Sequence, residues 1–190
     1  MMKTVILAVV FFLWVSTFAC GISQRLPVEY PPIDTLLIDL STFPEGWEAT
    51  EPDFEPPPHA PWSGPGHLVE YVRQNFYSQS NPYTGVIVEI RRYDSEQSAT
   101  REYERRLKVI FREDLRRWMP FPGVNHASTM ADQAHYSCSG ARCIYFARFG
   151  VYIYYSDVRI HNTDTITYSN ILPVLFQAID ERMTLVLDSK

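Results

Sequence analysis

Two cysteines close together in the sequence have the spacing that points most directly to covalent chemistry. Cys138 and Cys143 enclose Ser-Gly-Ala-Arg, a turn-like insert, and the flanking residues are rich in aromatic and branched side chains. This pattern predicts a β-hairpin that brings the two cysteines to a separation that a disulfide closes. A redox or zinc site is the alternative, but the spacing does not fit a Cys-x-x-Cys motif and further ligands cannot be placed. We therefore predict a structural disulfide.

The third cysteine, Cys20, directly follows an apolar segment near the start of the chain. Lys3 precedes this segment, the residues from Val5 to Val15 contain no polar side chain, and Ala19 stands just before the cysteine. A basic start, an apolar core shorter than the roughly 20 residues of a membrane span, and a small residue before the cut are features of an export signal. Cleavage after Ala19 would leave Cys20 first, where its thiol and amine can carry acyl chains.

This arrangement resembles a bacterial lipoprotein signal, and the resemblance implies a lipid anchor on Cys20. Ala19 and Cys20 fit the lipobox, whereas Thr17 and Phe18 depart from its usual Leu and small residue. Plain secretion and an uncleaved anchor are the alternatives, since all three share the same apolar run and place the remaining chain outside the cytoplasm. We expect a signal peptide over residues 1–19 and a membrane as partner through the lipid. Without lipidation the protein would be secreted.

The rest of the sequence contains no catalytic motif with a recognisable spacing. It lacks a Gly-x-Ser-x-Gly elbow, a His-Glu-x-x-His motif, a phosphate-binding Gly-rich loop and a dinucleotide fingerprint. His161 with Asp157 and Asp164 could form a metal site, but single polar residues in and beside a turn explain them better. Ser137 and Ser139 have no base placed near them, so a turn explains them too. We expect no metal, no cofactor and no catalytic set.

The charged residues exclude one class of partner and leave an enzyme hypothesis open. The formal net charge is −5 and becomes −6 once Lys3 is removed, which argues against nucleic acid as a partner. Glu102 and Arg106 are four residues apart in a predicted helix, so we interpret them as part of a solvated helix face. An enzyme would need a site assembled from dispersed residues, for which the candidates are Glu70, Glu89, Arg91, Arg148 and Arg159. A deep pocket lined by buried charged groups would favour an enzyme, and a shallow aromatic groove would favour binding.

The elements that position these residues begin after a proline-bearing spacer. We expect lipid attachment and spacer over residues 20–33 and a single domain over residues 34–190. The domain starts with an apolar stretch from Leu36, predicted as a strand, and then Phe-Pro-Glu-Gly-Trp at 43–47. This start resembles uncharacterised bacterial envelope lipoproteins with a Phe-Pro-x-Gly-Trp turn, and the resemblance carries no activity with it.

The proline-rich segment 51–66 is predicted to be a loop. Its prolines exclude it from a central strand or a helix interior. Trp62 belongs either to a recognition flap or to a surface connection in which its ring packs onto the core. Both interpretations stay open at this point.

Alternation and helical periodicity predict the remaining elements. A turn at Asn81-Pro82 separates the predicted strands 68–77 and 85–93, and Asp94 or Ser95 caps the helix that follows. The last helix carries an amphipathic stripe from Ile171 onward. In chain order the predicted elements are strands 68–77 and 85–93, a helix over 95–118, strands 134–137, 142–149 and 151–160, and a terminal helix with Pro173 in its first turn.

These elements predict an α+β fold, a mostly antiparallel sheet of about five to six strands with two main amphipathic helices packed on it. The order is similar to the Mog1/PsbP type of α/β/α sandwich found in some exported and lipid-anchored proteins, and this similarity of topology assigns no function. Tyrosine-rich strands suit carbohydrate or protein binding, and the candidate binding aromatics are Trp62, Tyr145, Tyr152 and Tyr154. We therefore expect a binding or accessory module of the cell envelope, with a protein or glycan partner, rather than an enzyme.

Overall fold

The computed structural model describes residues 30–56, 67–111, 128, 130–160 and 165–187. Several predicted features lie outside this part of the chain, and the predictions made on them stay predictions. They are the signal peptide with Cys20, the loop residue Trp62, residues 112–127, and His161 with Asp164.

A six-stranded antiparallel sheet forms the centre of the domain, in the spatial order β1-β2-β3-β6-β5-β4. In chain order the elements are 3-10 helices Ile33–Leu36 and Leu40–Thr42, β1 (Trp47–Ala49), β2 (Leu68–Ser78), β3 (Asn81–Tyr93), α1 (Glu96–Ile110), β4 (Gln133–Ser139), β5 (Arg142–Phe149), β6 (Tyr152–Arg159) and α2 (Thr165–Leu187). The predicted α+β fold is confirmed. Within the described residues, neither helix combines the length and the apolar character that crossing a membrane requires.

The two faces of the sheet differ in chemistry because side chains alternate along each strand. On β3, Val86, Val88 and Ile90 belong to a large apolar cluster that α2 and the first 3-10 helix cover. Glu89 and Arg91, which alternate with them, lie on the opposite face. We call this opposite face, which α1 covers in part, the charged face. It also holds a small apolar cluster around the stacked rings of Tyr103 and Phe146, whose centroids are 4.7 Å apart.

The stretch from Leu36 to Leu40 is not a strand, so that prediction was wrong. Leu36 ends the first 3-10 helix, Leu40 begins the second, and the residues from 37 to 39 connect them. The first strand begins later, at Trp47. Leu36, Leu37 and Ile38 are all buried. Three consecutive buried side chains do not fit the two-sided alternation of a strand, whereas a compact turn can place all three against the sheet.

The turn between β2 and β3 lies at residues 79–80, before the predicted Asn81-Pro82. Tyr77 pairs with Gly85 and Ser78 pairs with Asn81, so the register shifts and the intervening residues of β3 form a bulge. A bulge interrupts the ladder of backbone hydrogen bonds, which is why Pro82 is tolerated within this strand. At Gly85 the strands come close, because a Cβ atom there would lie 2.8 Å from the backbone oxygen of Phe76.

The helices agree with the sequence patterns except at two ends. The first is the end of α1, which lies at Ile110, with Phe111 as its C-cap, and not at residue 118 as predicted. Ser95 is the N-cap of α1, and its hydroxyl accepts a hydrogen bond from the Ser98 amide at 3.2 Å. The apolar stripe of α2 is buried as predicted from Ile171 to Met183. However, α2 begins at Thr165, which places Pro173 inside the helix rather than in its first turn. Pro173 is on the exposed side, where water can satisfy the carbonyl that loses its partner.

The predicted disulfide is confirmed. Cys138 and Cys143 are directly opposed on β4 and β5, with their Cα atoms 4.0 Å apart, and are bonded to each other. Gly140 in the turn between the strands has φ of 57°, a conformation that glycine adopts without steric cost. The bond lies on the face that α2 covers.

Tyr30, the first described residue, contacts the sheet although it lies within the predicted spacer. Its ring packs edge-on against Tyr152, with centroids 5.9 Å apart, and the Arg92 guanidinium lies 5.5 Å from its centre. Ile33 is buried. Residues 30–33 therefore pack against the domain.

Candidate functional site

Four charged side chains are buried together between α1 and the charged face. Glu89 and Arg91 come from β3, where alternation places them on the same side, and Glu102 and Arg106 come from α1, one helical turn apart. The predicted pairing of Glu102 with Arg106 exists, at 2.6 Å, but the pair is buried and the expected solvated face was wrong. Buried charges are costly unless they are paired, so this network needs every one of its contacts.

Glu89 is the centre of the network. Its Oε1 accepts a hydrogen bond from Arg91 Nε at 2.6 Å and lies 3.6 Å from Arg106 Nη1. Its Oε2 accepts a hydrogen bond from the Tyr71 hydroxyl at 3.2 Å. Arg91 also lies over the Tyr71 ring, 5.2 Å from its centre. Burial and the nearby Glu89 carboxylate raise the pKa of Tyr71 well above its ordinary value, so the hydroxyl remains a donor.

Glu102 holds the helix side of the network. Its carboxylate accepts hydrogen bonds from Arg106 Nε at 2.6 Å and from Arg105 Nε and Nη2 at 2.8 and 2.6 Å. Burial alone would raise the pKa of Glu102, but the bonds to Arg105 and Arg106 outweigh it and the pKa falls below the ordinary 4.5. Burial and the neighbouring Arg91 lower the pKa of Arg106.

A second ion network lies beside the first, on β5 and β6. Asp157 is buried, and Arg142 holds it through two parallel hydrogen bonds of 2.9 Å, from Nε to Oδ1 and from Nη2 to Oδ2. Arg159 Nη2 donates to Asp157 Oδ2 at 3.0 Å. Arg142 Nη2 also reaches the Tyr155 hydroxyl at 3.1 Å. Burial and the adjacent Asp157 raise the pKa of Tyr155 to about 12.

A pocket of about 200 Å³ lies between the two networks and is lined by residues of α1 and of the charged face. Its charged lining consists of four guanidinium groups and two carboxylates, which together carry a net charge of +2: Arg73, Arg106, Arg142, Arg159, Glu89 and Asp157. Ile87, Ile110 and Tyr155 complete the walls. This surplus of positive charge stands out in a chain whose formal net charge is −5.

Arg73 brings into the pocket a donor that no described residue satisfies. Its Nε is buried and has no hydrogen-bond partner among the described residues. The Arg73 backbone forms an isolated bridge with Asp53, through two hydrogen bonds of 2.8 Å, which fixes the main chain at this point. Across the sheet Arg73 is paired in register with Glu89. A buried donor without a partner is rare in native proteins and calls for a ligand or solvent partner.

A larger groove of about 470 Å³ lies along β2, beside the first 3-10 helix. Its lining includes Phe54 and Val69, whose side chains are largely exposed. The charged groups in its lining are Asp34 and Glu70. Glu70 is held by Arg92, with two contacts of 2.9 Å. We take the smaller pocket as the candidate site because several buried polar groups converge there.

The predicted binding tyrosines do not form an open surface. Tyr145, Tyr152 and Tyr154 are 1%, 0% and 0% exposed, and all three belong to the apolar cluster beneath α2. The ring of Tyr145 packs against Phe176 of α2, with centroids 4.9 Å apart. Because these tyrosines share the pleat face that the helix covers, the expectation that they bind a ligand is corrected. Trp62 lies outside the described residues.

The structure brings together some of the dispersed residues but not all. Glu89, Arg91 and Arg159 lie on the charged face, in or beside the pocket, whereas Glu70 pairs with Arg92 on the other face. Arg148 contacts Asp132 at 3.0 Å. The site candidates from the sequence did not include Arg73, Arg106 or Arg142, which line the pocket. The signal that would have helped is the repetition of charged residues at every second position of otherwise apolar strands, as in Glu89-Ile90-Arg91 and Asp157-Val158-Arg159.

The described residues include no group of three or more histidine, cysteine or acidic side chains able to hold a metal ion. Asp157, a member of the cluster considered from the sequence, is already bound by two arginines. Comparisons with protein-family models, with curated proteins and with solved structures found no match to this chain.

Proposed function

We propose that this protein is an exported, lipid-anchored binding module of the cell envelope whose ligand site is the pocket between α1 and the sheet. The observation that supports it is the pocket lining, in which four arginines from four different elements surround a space of about 200 Å³. Ion pairs with Glu89, Glu102 and Asp157 hold three of these arginines in place. Side chains fixed in this way form a preorganised site, which reduces the entropy lost on binding.

The lining favours binding over catalysis because its carboxylates are already engaged. Glu89 accepts hydrogen bonds from Arg91 and Tyr71, and Asp157 accepts them from Arg142 and Arg159. A general acid or base must reach the substrate proton within hydrogen-bond distance. Oxygens that are held by arginines are poorly placed for that role.

The alternative function is an extracytoplasmic enzyme, and one observation favours it. Glu89, Arg106 and Asp157 are buried charged groups that line one pocket, which is a common feature of active sites. A ligand that the protein binds and also converts would support this alternative. Once a ligand is found, product analysis after incubation with the purified protein distinguishes the two functions.

The envelope location is supported by the sequence of the first 20 residues and agrees with the disulfide between Cys138 and Cys143, since disulfides persist mainly in oxidising compartments. Mass spectrometry of the processed protein from the producing cell tests it. The proposal expects a mature N-terminus at Cys20 that carries acyl mass. An unmodified protein that begins elsewhere would contradict the lipid anchor.

A ligand screen tests the binding function. The full-length protein in non-ionic detergent is heated with small anions, small cations and neutral sugars at equal ionic strength, and the unfolding temperature is recorded. We expect one class of ligand to raise it in the wild type and not in Arg73→Gln. Arg101→Gln is the matched control, since Arg101 is exposed on α1. If no ligand acts through Arg73, the proposed site is wrong.

A further inference from the structure

The geometry points to a small tetrahedral oxyanion of the phosphate class, either free phosphate or the terminal group of a phosphomonoester, as the ligand of this pocket. The inference rests on the proposed function and names the chemistry of its ligand. It comes from three properties of the pocket: its charge, the directions from which its donors come, and its size.

The charge of the lining matches a dianion. Each carboxylate of the pocket already has arginine partners, Glu89 with Arg91 and Asp157 with Arg142 and Arg159. The lining still keeps a net charge of +2. A phosphate monoester carries about −1.5 to −2 at neutral pH, which neutralises this surplus, whereas a single carboxylate or a neutral sugar does not. The Nε of Arg73 is buried without a partner among the described residues, so it is a donor that this anion can satisfy.

The donors come from several directions. Arg73 belongs to β2, Arg106 to α1, Arg142 to β5 and Arg159 to β6. A planar carboxylate accepts hydrogen bonds within one plane, and within this protein Asp157 accepts two from the fork of Arg142 and one from Arg159. A tetrahedral oxyanion presents its oxygens in more than one plane and so can contact guanidinium groups that surround it. The convergence of four elements therefore favours the tetrahedral shape.

The size of the pocket selects a small group. Its volume of about 200 Å³ is below the roughly 300–1,000 Å³ of pockets that enclose drug-sized ligands. It is also several times the roughly 30 Å³ that one water occupies. The side chains of Arg142 and Arg159 are 41% and 58% exposed, so this end of the pocket is open to solvent. An ester can therefore bind by its phosphate while the rest of the molecule extends outward.

Calorimetric titration of the full-length protein in non-ionic detergent tests the inference. The ligands are inorganic phosphate, glycerol 3-phosphate, sulfate and succinate, at one ionic strength, together with mixed micelles of the same detergent and phosphatidylcholine, with and without phosphatidic acid. We expect phosphate or its ester to bind more tightly than succinate. Arg73→Gln should weaken binding about 10- to 100-fold, because a hydrogen bond to a charged group is lost. Arg101→Gln should leave it within about twofold.

The outcomes separate this inference from the proposed function. Binding only to micelles that contain phosphatidic acid, with the same dependence on Arg73, would support the inference and identify a lipid headgroup as the source. Binding of succinate alone through Arg73 would overturn the phosphate class and leave the binding module intact. If no anion binds, or if Arg73→Gln and Arg159→Gln both bind phosphate as the wild type does, the inference is wrong. Circular dichroism of each variant establishes that it is folded, and Arg159→Gln replaces Arg73→Gln if the latter is not.

Discussion

Removing the charge of Glu89 should destabilise the domain strongly, because this carboxylate is the centre of the buried network. In Glu89→Gln the side chain keeps its size but loses the charge that faces Arg91 and Arg106, both of them buried. Arg106 would keep its ion pair with Glu102, whereas Arg91 would lose its ion pair with Glu89. The matched control is Glu70→Gln on the neighbouring strand, where Glu70 also receives two contacts from one arginine, Arg92. The Glu70 side chain is 37% exposed, against 12% for Glu89.

The two substitutions differ in the expected loss of free energy of unfolding. Breaking one partner of a buried ion pair costs about 3–5 kcal/mol, since a charge is left uncompensated. An exposed pair contributes about 0–1 kcal/mol. For a chain of this size, 1 kcal/mol corresponds to about 2–4 °C in the unfolding temperature. Glu89→Gln should therefore lower it by about 6–20 °C, and Glu70→Gln by less than about 4 °C.

Urea denaturation of the full-length proteins, followed by circular dichroism, measures both losses under one condition. The midpoint and slope give the free energy of unfolding of each variant. A loss for Glu89→Gln that is no larger than that for Glu70→Gln would refute the reasoning. It would mean that the four charges between α1 and the sheet are hydrated and contribute as a surface network does.

Three further predictions use other parts of the structure. Replacing Cys138 and Cys143 by serine should cost about 2 kcal/mol in urea denaturation, because the bond closes a short loop, and no loss would contradict this. Gly85→Ala should cost about 1–3 kcal/mol, since the new Cβ would meet the Phe76 oxygen at 2.8 Å; an unchanged midpoint would contradict the close approach. The charge of Glu102 contributes to the free energy of unfolding above its unfolded pKa of 4.5, and this contribution is lost as the pH falls through its lowered folded pKa. The urea midpoints of Glu102→Gln and wild type should therefore converge below pH 4.5. A constant difference in midpoint would refute it.

Local patterns were enough to predict most of the fold. The meander, the hairpin with its disulfide and the cap at Ser95 each depend on residues close in the sequence. The first strand was misplaced because the apolar run from Leu36 has no alternation to separate a strand from a compact turn. Pro173 was misplaced because the apolar stripe of α2 starts several residues after the helix does.

The site could not be predicted in the same way, because it depends on distant contacts. A Glu and an Arg four residues apart look the same whether their helix face is solvated or covers charged strand residues. What decides the burial of Glu102 and Arg106 is the charge of Glu89 and Arg91 on a strand that packs beneath them. The tyrosines of β5 and β6 were predicted to be open to a ligand and are buried instead. Alternation along a strand assigns each tyrosine to one of two faces, but it does not say which face a helix covers.

Crystals of the protein soaked in tungstate would test the central claim most directly. Tungstate is a tetrahedral oxyanion like phosphate, and its tungsten atom is located by anomalous scattering. The account predicts a tungsten peak within the pocket on the charged face, with an oxygen at hydrogen-bond distance from Arg73 Nε. Peaks only at other arginines or lysines, with this pocket empty, would contradict it.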